Sequence, residues 1–176
     1  MALPFYYHYS GADALEIRNE AETLFQTGKF NCSEAVMSAL RHAFFPDIPA
    51  YVIAAVSGFP VGIGGSGCLC GAVGSAVCAL GLLFGREESS ELLKAASCMK
   101  LSAELHQDFT AKHKAVCCRV LTRSLEIGSA EHANQCVKLT GDAAEAAARI
   151  ILREASFASA DEGKDSGASV LSADSK

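Results

Sequence analysis

The sequence lacks a cluster of basic residues, and this absence excludes one large class of partners. It contains 15 lysine and arginine residues against 20 aspartate and glutamate residues, for a formal net charge of −5. Proteins that bind nucleic acid need grouped lysines and arginines to neutralise phosphates. We therefore expect no nucleic-acid partner.

Signals for secretion and for a membrane span are also missing. The N-terminal stretch MALPFYYHYS has neither the basic start nor the apolar core of a signal peptide. The most apolar stretch, residues 68–84, is shorter than the roughly 20 residues that a membrane-spanning helix needs, and it is rich in glycine and alanine. We expect a cytoplasmic protein in which this stretch forms a buried helix.

No segment repeats, and no stretch alternates apolar and polar residues as a half-exposed strand does. Helical signals dominate, and capping pairs at Ser10–Asp13 and Asn31–Glu34 indicate two helix starts. The glycine-rich segment 58–67 predicts a loop. The sequence therefore predicts an all-α fold, a single compact bundle of about six to seven helices with a glycine-rich loop. The predicted helices cover residues 14–27, 32–44, 50–58, 68–84, 89–112, 117–127 and 134–157, with a break in the last at Thr140–Gly141.

The C-terminal segment differs in composition from the rest of the chain. Residues 158–176 are mostly serine, alanine, glycine and aspartate. Such a segment buries too little apolar surface to offset its ordering entropy. We expect residues 1–157 to form one helical domain that contains all the cysteines, and residues 158–176 to form a disordered tail.

Cysteine is abundant, with eight residues in the chain. In a reducing compartment this abundance favours metal or redox chemistry over disulfides. A free cysteine is also a small apolar residue that is often buried, so we expect about half of the eight to be core packing. We assign Cys78 and Cys98 to this group. The eight are Cys32, Cys68, Cys70, Cys78, Cys98, Cys117, Cys118 and Cys136.

Four of the cysteines fall near predicted helix starts: Cys32, Cys70, Cys118 and Cys136. A helix N-terminus presents unpaired N–H groups and partial positive charge. Both favour thiolate over thiol, so we expect lowered pKa values at these positions. Thiolate is the form that binds metals and attacks disulfides.

Several familiar cysteine arrangements are absent. The sequence has no CxxC pair, as a zinc ribbon or a thioredoxin-like site requires, and no CxxCH for covalent haem. GIGGSG lacks the Lys-Ser/Thr ending of a phosphate-binding loop. The gaps between Cys32, Cys70, Cys118 and Cys136 are long, so tertiary folding must assemble any site that they share.

Four stretches of the chain resemble the C-GCAxxG-C-C family of redox-active proteins, over residues 21–154. The resemblance implies an all-helical domain in which Cys32, Cys70, Cys118 and Cys136 gather near one place. Cys118 is preferred to Cys117 because CRVLT fits the family block better, and Leu69 stands before Cys70 where the family has a smaller residue. The family domain is also similar to the cluster-binding part of split-Soret cytochromes. The stretches are FNCSEAVMSAL, GFPVGIGGSGCLCGAVGSAVCALGLLFGR, CCRVLT and CVKLTGDAAEAAARIIL.

The function that this resemblance implies is electron transfer or redox sensing, with a redox protein as partner. An iron–sulfur cluster, most simply [2Fe–2S], would be bound by Cys32, Cys70, Cys118 and Cys136. Three alternatives stay open: a metal-free thiol–disulfide protein in which Cys32 or Cys70 attacks, a structural Cys₄ zinc module, and a helical scaffold with core cysteines.

The remaining residues point to no substrate. The sequence shows no recognisable Ser/His/Asp or paired-carboxylate arrangement, so we name no catalytic residue. If the protein is part of an enzyme, we expect it to be an oxidoreductase component. His132 lies four residues before Cys136 and could serve as a substitute ligand or a proton donor, but we assign it neither role. The amphipathic stretch at residues 91–109 would suit a homodimer face.

Overall fold

The computed structural model describes Gly11 and residues 13–165, with side chains described as far as residue 157. Within these residues it contains helices and no strand, which confirms the all-α prediction. α4 is a distorted single turn, since Val61 and Gly62 inside it have φ values of 54° and 69°. The segments are α1 (Ala14–Gln26), α2 (Cys32–Phe44), α3 (Tyr51–Ala54), α4 (Pro60–Ile63), α5 (Gly71–Phe84), α6 (Leu92–His113), α7 (Cys118–Leu121) and α8 (Ala130–Asp165).

The first helices begin where capping side chains satisfy their free N–H groups. α2 has the predicted bounds, and the Asn31 N–H donates to the Glu34 carboxylate at 2.9 Å. The Asp13 carboxylate accepts from the Leu15 N–H at 2.9 Å, so Asp13 caps α1. Ser10, the other half of that predicted pair, lies outside the described residues.

The last helix is longer than its sequence pattern predicts. α8 begins at Ala130 and runs through Thr140 and Gly141, so the predicted break there is wrong. A Cβ at Gly141 would overlap the Glu22 side chain. Gly141 therefore allows α1 to approach α8 closely, and it does not end the helix.

The predicted tail is described only in its first part. α8 enters it and continues to Asp165. Residues 166–176 lie outside the described residues, and the disordered tail stays a prediction for them.

α5 lies at the centre of the bundle, where it contacts α2, α6 and α8. Its first two turns carry small buried residues, which leave room for three neighbouring helices. Large side chains fill the rest of one continuous core; they include Met37, Leu40, Phe44, Phe45, Leu80, Phe84, Leu105, Ile150 and Ile151. Among the described helices, none combines the length and the apolar character that crossing a bilayer requires.

α6 leaves part of its surface uncovered. Leu92, Leu93 and Met99 are exposed on this helix. They lie in the stretch that we expect to suit a homodimer, which stays a prediction.

A buried carboxylate connects α1, α6 and α8. Asp142 of α8 is 7% exposed. It accepts hydrogen bonds from Arg18 at 2.5 Å, from Lys112 at 2.7 Å and from the His113 ring at 2.8 Å. These partners compensate the cost of removing the carboxylate from water, and they fix the positions of α1, α6 and α8 relative to one another.

We predict that Asp142→Asn destabilises the fold by about 2–3 kcal/mol, because the amide keeps the shape but loses charge-assisted hydrogen bonds. Urea unfolding measures the change in free energy. The matched control is Glu20→Gln, which removes an exposed pair with His42 and should change stability by less than about 1 kcal/mol. A loss at Asp142 no larger than that of the control would contradict the proposed role of the network.

Candidate four-cysteine site

A cavity of about 130 Å³ is lined by the starts of α2, α5 and α7 and by the side of α8. Cys32, Cys70, Cys118 and Cys136 all line it, so the structure brings the four sequence-predicted cysteines together. Most of the remaining wall is apolar and is formed by Phe25, Pro60, Val61, Ala72 and Leu139.

Three of the four cysteines lie at helix starts, as predicted. Cys32 and Cys118 are the first residues of α2 and α7, and Cys70 is the N-cap of α5. The prediction is wrong for Cys136, which lies more than one turn inside α8 because that helix begins at Ala130. The side of one helix therefore faces the starts of three others.

Gly71 allows Cys32 to lie against the first turn of α5. A Cβ at Gly71 would lie 2.9 Å from the Cys32 Sγ and 2.9 Å from the Phe59 carbonyl oxygen. These distances are shorter than real Cβ contacts, so a side chain there would force the thiol or the backbone to move. The small residue after Cys70 is therefore a requirement of the site.

Two buried hydroxyls hold the start of α2 against its neighbours. The Ser33 hydroxyl donates to the Val56 carbonyl oxygen at 2.8 Å. The Ser75 hydroxyl of α5 donates to the Ser33 carbonyl oxygen at 2.6 Å. Because Ser33 follows Cys32, these bonds position the Cys32 backbone relative to α5.

Backbone hydrogen bonds bring Cys70 and Cys118 to the same cavity. The Cys70 N–H donates to the Val116 carbonyl oxygen at 2.8 Å, and the Arg119 N–H donates to the Gly67 carbonyl oxygen at 2.9 Å. The two segments that carry these cysteines thus lie side by side, although they are far apart in the chain.

The pKa values of the four thiols are raised, so the expectation that helix starts lower them is wrong. Burial, followed by the neighbouring Cys70 and Cys136, raises the pKa of Cys32 to about 12. Burial, followed by Cys118 and Cys70, raises the pKa of Cys136 to about 12. The pKa values of Cys70 and Cys118 also rise, with burial as the largest cause.

The helix-start effect is present, but it is smaller than the effect of burial. The Ser33 N–H hydrogen-bonds to Cys32 and acts to lower its pKa. The N–H groups of Val73 and Ala72 act in the same way on Cys70. Desolvation of four crowded sulfurs exceeds these contributions, so the thiols stay protonated at neutral pH.

His132 also belongs to the wall of the cavity. It is 8% exposed, and its Nε2 lies 3.8 Å from the Cys136 Sγ. From the sequence alone we considered His132 as a substitute ligand or proton donor and assigned it neither role. Because α8 begins at Ala130, His132 and Cys136 are four residues apart on one helix, and this places their side chains on the same face.

The four thiols surround the cavity and do not meet at one point. Within the described part of the chain, no group of three or more His, Cys, Asp or Glu side chains is arranged to hold a metal ion. Cys78 and Cys98 pack against the core, as expected.

Comparison with known proteins identifies one family. The model of the family described as "Putative redox-active protein (C_GCAxxG_C_C)" matches residues 30–150, more than half of the chain. The matched region includes the four cysteines of the cavity. Comparisons with curated proteins and with solved structures find no match.

We predict that two glycine substitutions on α5 change the free energy of unfolding differently. Gly71→Ala should destabilise the protein by about 1–3 kcal/mol, because the new methyl group overlaps Cys32 and Phe59. The matched control is Gly81→Ala on the same helix, where a Cβ would meet nothing within 4 Å. The control should be neutral or up to about 1 kcal/mol more stable, since alanine favours helix. Equal unfolding free energies for the two variants would contradict the close packing at Gly71.

We also predict that alkylation of the reduced, metal-free protein depends on pH in a site-specific way. Only thiolate reacts with iodoacetamide, so Cys32 and Cys136, which have pKa values of about 12, should be labelled much more slowly at about pH 8 than Cys68. Cys117 also raises the pKa of Cys68, but the Cys68 thiol is exposed to the reagent. Raising the pH toward the pKa values of Cys32 and Cys136 should increase labelling of both. Peptide mass spectrometry measures each site, and protein in denaturant provides the fully labelled control. Equal labelling of Cys68, Cys32 and Cys136 in the folded protein would refute this prediction.

Proposed function

The chain belongs to the C_GCAxxG_C_C family of redox-active proteins, and on this premise we propose that Cys32, Cys70, Cys118 and Cys136 bind an iron–sulfur cluster. The single observation that carries the proposal is that all four line one cavity. When bound, the cluster supplies a one-electron donor and acceptor. The function would be electron transfer or redox sensing, with a redox protein as partner.

The donor set and its spacing favour a cluster over a single zinc ion. Thiolates are soft ligands that select iron–sulfur clusters, zinc or Cu(I). A zinc ion would need all four sulfurs at about 2.3 Å from one point. A [2Fe–2S] centre instead shares the four thiolates between two irons, which suits thiols around a cavity of about 130 Å³.

Residues around the sulfurs would tune such a centre. The N–H groups of Ser33, Ala72 and Val73 lie near enough to the Cys32 and Cys70 thiols to act against the increase of their pKa values. His132 supplies a ring nitrogen beside Cys136. Hydrogen bonds to ligating sulfur and exclusion of water both shift the reduction potential of iron–sulfur centres.

The chain also has to release protons when it takes up iron. The raised pKa values of Cys32 and Cys136 mean that both thiols are protonated in the metal-free protein at neutral pH. Iron binds the thiolate, so loading displaces these protons. We therefore expect loading to be favoured as the pH rises.

A second candidate function uses the same residues without metal. Cys32 lies against the first turn of α5, next to Cys70, and Cys70 is the neighbouring thiol with the largest effect on its pKa. This proximity favours a Cys32–Cys70 dithiol that exchanges with disulfides. Zinc in a structural role is the remaining alternative.

We predict that reconstitution with iron and sulfide under anaerobic conditions gives a coloured protein with about two iron and two sulfide ions per chain. Single Cys→Ser variants at positions 32, 70, 118 and 136 should lose most of the iron, because each removes one ligand. Visible absorption and metal analysis measure the outcome. The matched controls are Cys78→Ser and Cys98→Ser, which alter partly buried cysteines away from the cavity and should retain the iron.

Three outcomes would contradict the cluster. The first is a colourless protein without iron after reconstitution. The second is stoichiometric zinc that the same four variants lose, which would favour the structural site. The third is equal iron loss in the two control variants. Circular dichroism distinguishes loss of a ligand from loss of the fold.

A further inference from the structure

A second pair of neighbouring thiols, Cys68 and Cys117, does not belong to the walls of the four-cysteine cavity. The Cys117 side chain lies close enough to Cys68 to be the largest cause of the raised pKa of the Cys68 thiol. The Cys117 thiol also contacts the Gly67 carbonyl oxygen at 3.1 Å. Cys68 is exposed and Cys117 is partly buried, so one sulfur of the pair is open to solvent.

The backbone on both sides of this pair is held in place. One hydrogen bond joins Cys70 N–H to the Val116 carbonyl oxygen, and another joins Arg119 N–H to the Gly67 carbonyl oxygen. Both fall within two residues of the pair. The proximity of Cys68 and Cys117 therefore follows from the path of the backbone and does not depend on side-chain rotation alone.

A cleft with two guanidinium groups adjoins the pair. Its walls include Arg119 and Arg123, together with Gly67, which precedes Cys68. The Arg119 guanidinium donates to the Ser66 carbonyl oxygen at 2.9 Å, and a Cβ at Gly67 would lie 2.9 Å from its Nε. Arg119 thus lies across the loop next to Cys68. In a chain of net charge −5, this local positive charge would attract a small anion.

We propose that Cys68 and Cys117 form a second redox site, a dithiol that converts reversibly to an intramolecular disulfide. The oxidant is a low-molecular-weight disulfide that carries carboxylates, which Arg119 and Arg123 attract. The site does not depend on the proposed cluster, because neither sulfur lines the cavity.

The exchange balances in two steps. The Cys68 thiolate attacks one sulfur of the small disulfide, forming a mixed disulfide and releasing one small thiolate, which takes up the proton that Cys68 lost. Cys117 then attacks the Cys68 sulfur and releases the second small thiolate, which takes up the Cys117 proton. Two electrons pass from the protein dithiol to the small disulfide, and two small thiols are formed. An excess of the small thiol reverses both steps.

The bond would connect two parts of the site described above. Cys68 lies two residues before Cys70, and Cys117 directly precedes Cys118. An intramolecular disulfide would therefore join covalently the two segments that already lie side by side through backbone hydrogen bonds. Oxidation at the surface would restrict the movement of two cysteines of the cavity.

The test treats the reduced full-length protein with oxidised glutathione, followed by acid quenching, alkylation and peptide mass spectrometry. We expect a Cys68–Cys117 linked peptide as the first protein disulfide. In Cys117→Ser the reaction should stop at glutathione on Cys68, and excess reduced glutathione should reverse both products. Cys98→Ser is the matched control and should give the same linked peptide as the natural sequence.

A second arm tests the role of the charge. Arg123→Gln should slow the reaction with oxidised glutathione by about threefold or more, but should leave the reaction with uncharged hydroxyethyl disulfide unchanged. Equal slowing with both reagents, or none with either, would overturn the assignment of an anionic oxidant. A first disulfide between other cysteines, or glutathione that stays on Cys68 in the natural sequence, would overturn the dithiol site.

The same variants separate this proposal from the cluster proposal. A chain in which both Cys68 and Cys117 are serine should load iron as the natural sequence does. If no variant loads iron but the Cys68–Cys117 peptide still forms, the cluster fails and the dithiol site stands. If iron loads and the Cys68–Cys117 peptide does not form, the dithiol site fails and the cluster proposal stands.

Discussion

The close approach of the first turns of α2 and α5 is the constraint on which the rest of the site depends. It requires a residue without a side chain at position 71, because any Cβ there would meet the Cys32 sulfur and the Phe59 backbone. The hydrogen bond from the Ser75 hydroxyl of α5 to the Ser33 carbonyl oxygen of α2 joins the two helices at that separation. With α2 and α5 in contact, α8 packs against both, and its side brings Cys136 and His132 to the same cavity.

Electrostatics within this cavity favour neutral thiols when no metal is present. Helix N–H groups favour the thiolate, but burial among apolar residues and the proximity of other thiols oppose it more strongly. A metal centre would reverse this balance by supplying the positive charge that the chain itself does not place there. Outside the cavity, Cys117 raises the pKa of the exposed Cys68 thiol, and the nearby Arg119 opposes this increase only in part.

Much of the local structure could be predicted, and the failures have identifiable physical causes. The bounds of α2 were predicted because capping pairs and a following proline act over a few residues. The predicted break at Thr140–Gly141 was wrong, because a glycine can either end a helix or allow a neighbouring helix to approach closely. Only the position of the Glu22 side chain shows that Gly141 has the second role. His132 was considered from its spacing to Cys136 and rejected, and only the start of α8 at Ala130 shows that both residues lie on one helix.

The sequence by itself determined the helical class, the bounds of α2 and the family, because periodicity, caps and motif spacing are local properties of the chain. Only the tertiary structure decided that Cys32, Cys70, Cys118 and Cys136 line one cavity, that His132 joins them, and that the segments carrying Cys68 and Cys117 lie side by side. It also decided that the pKa values of the four cavity thiols are raised and not lowered. Burial and the proximity of the sulfurs depend on which helices pack together, and a local sequence pattern does not determine this packing.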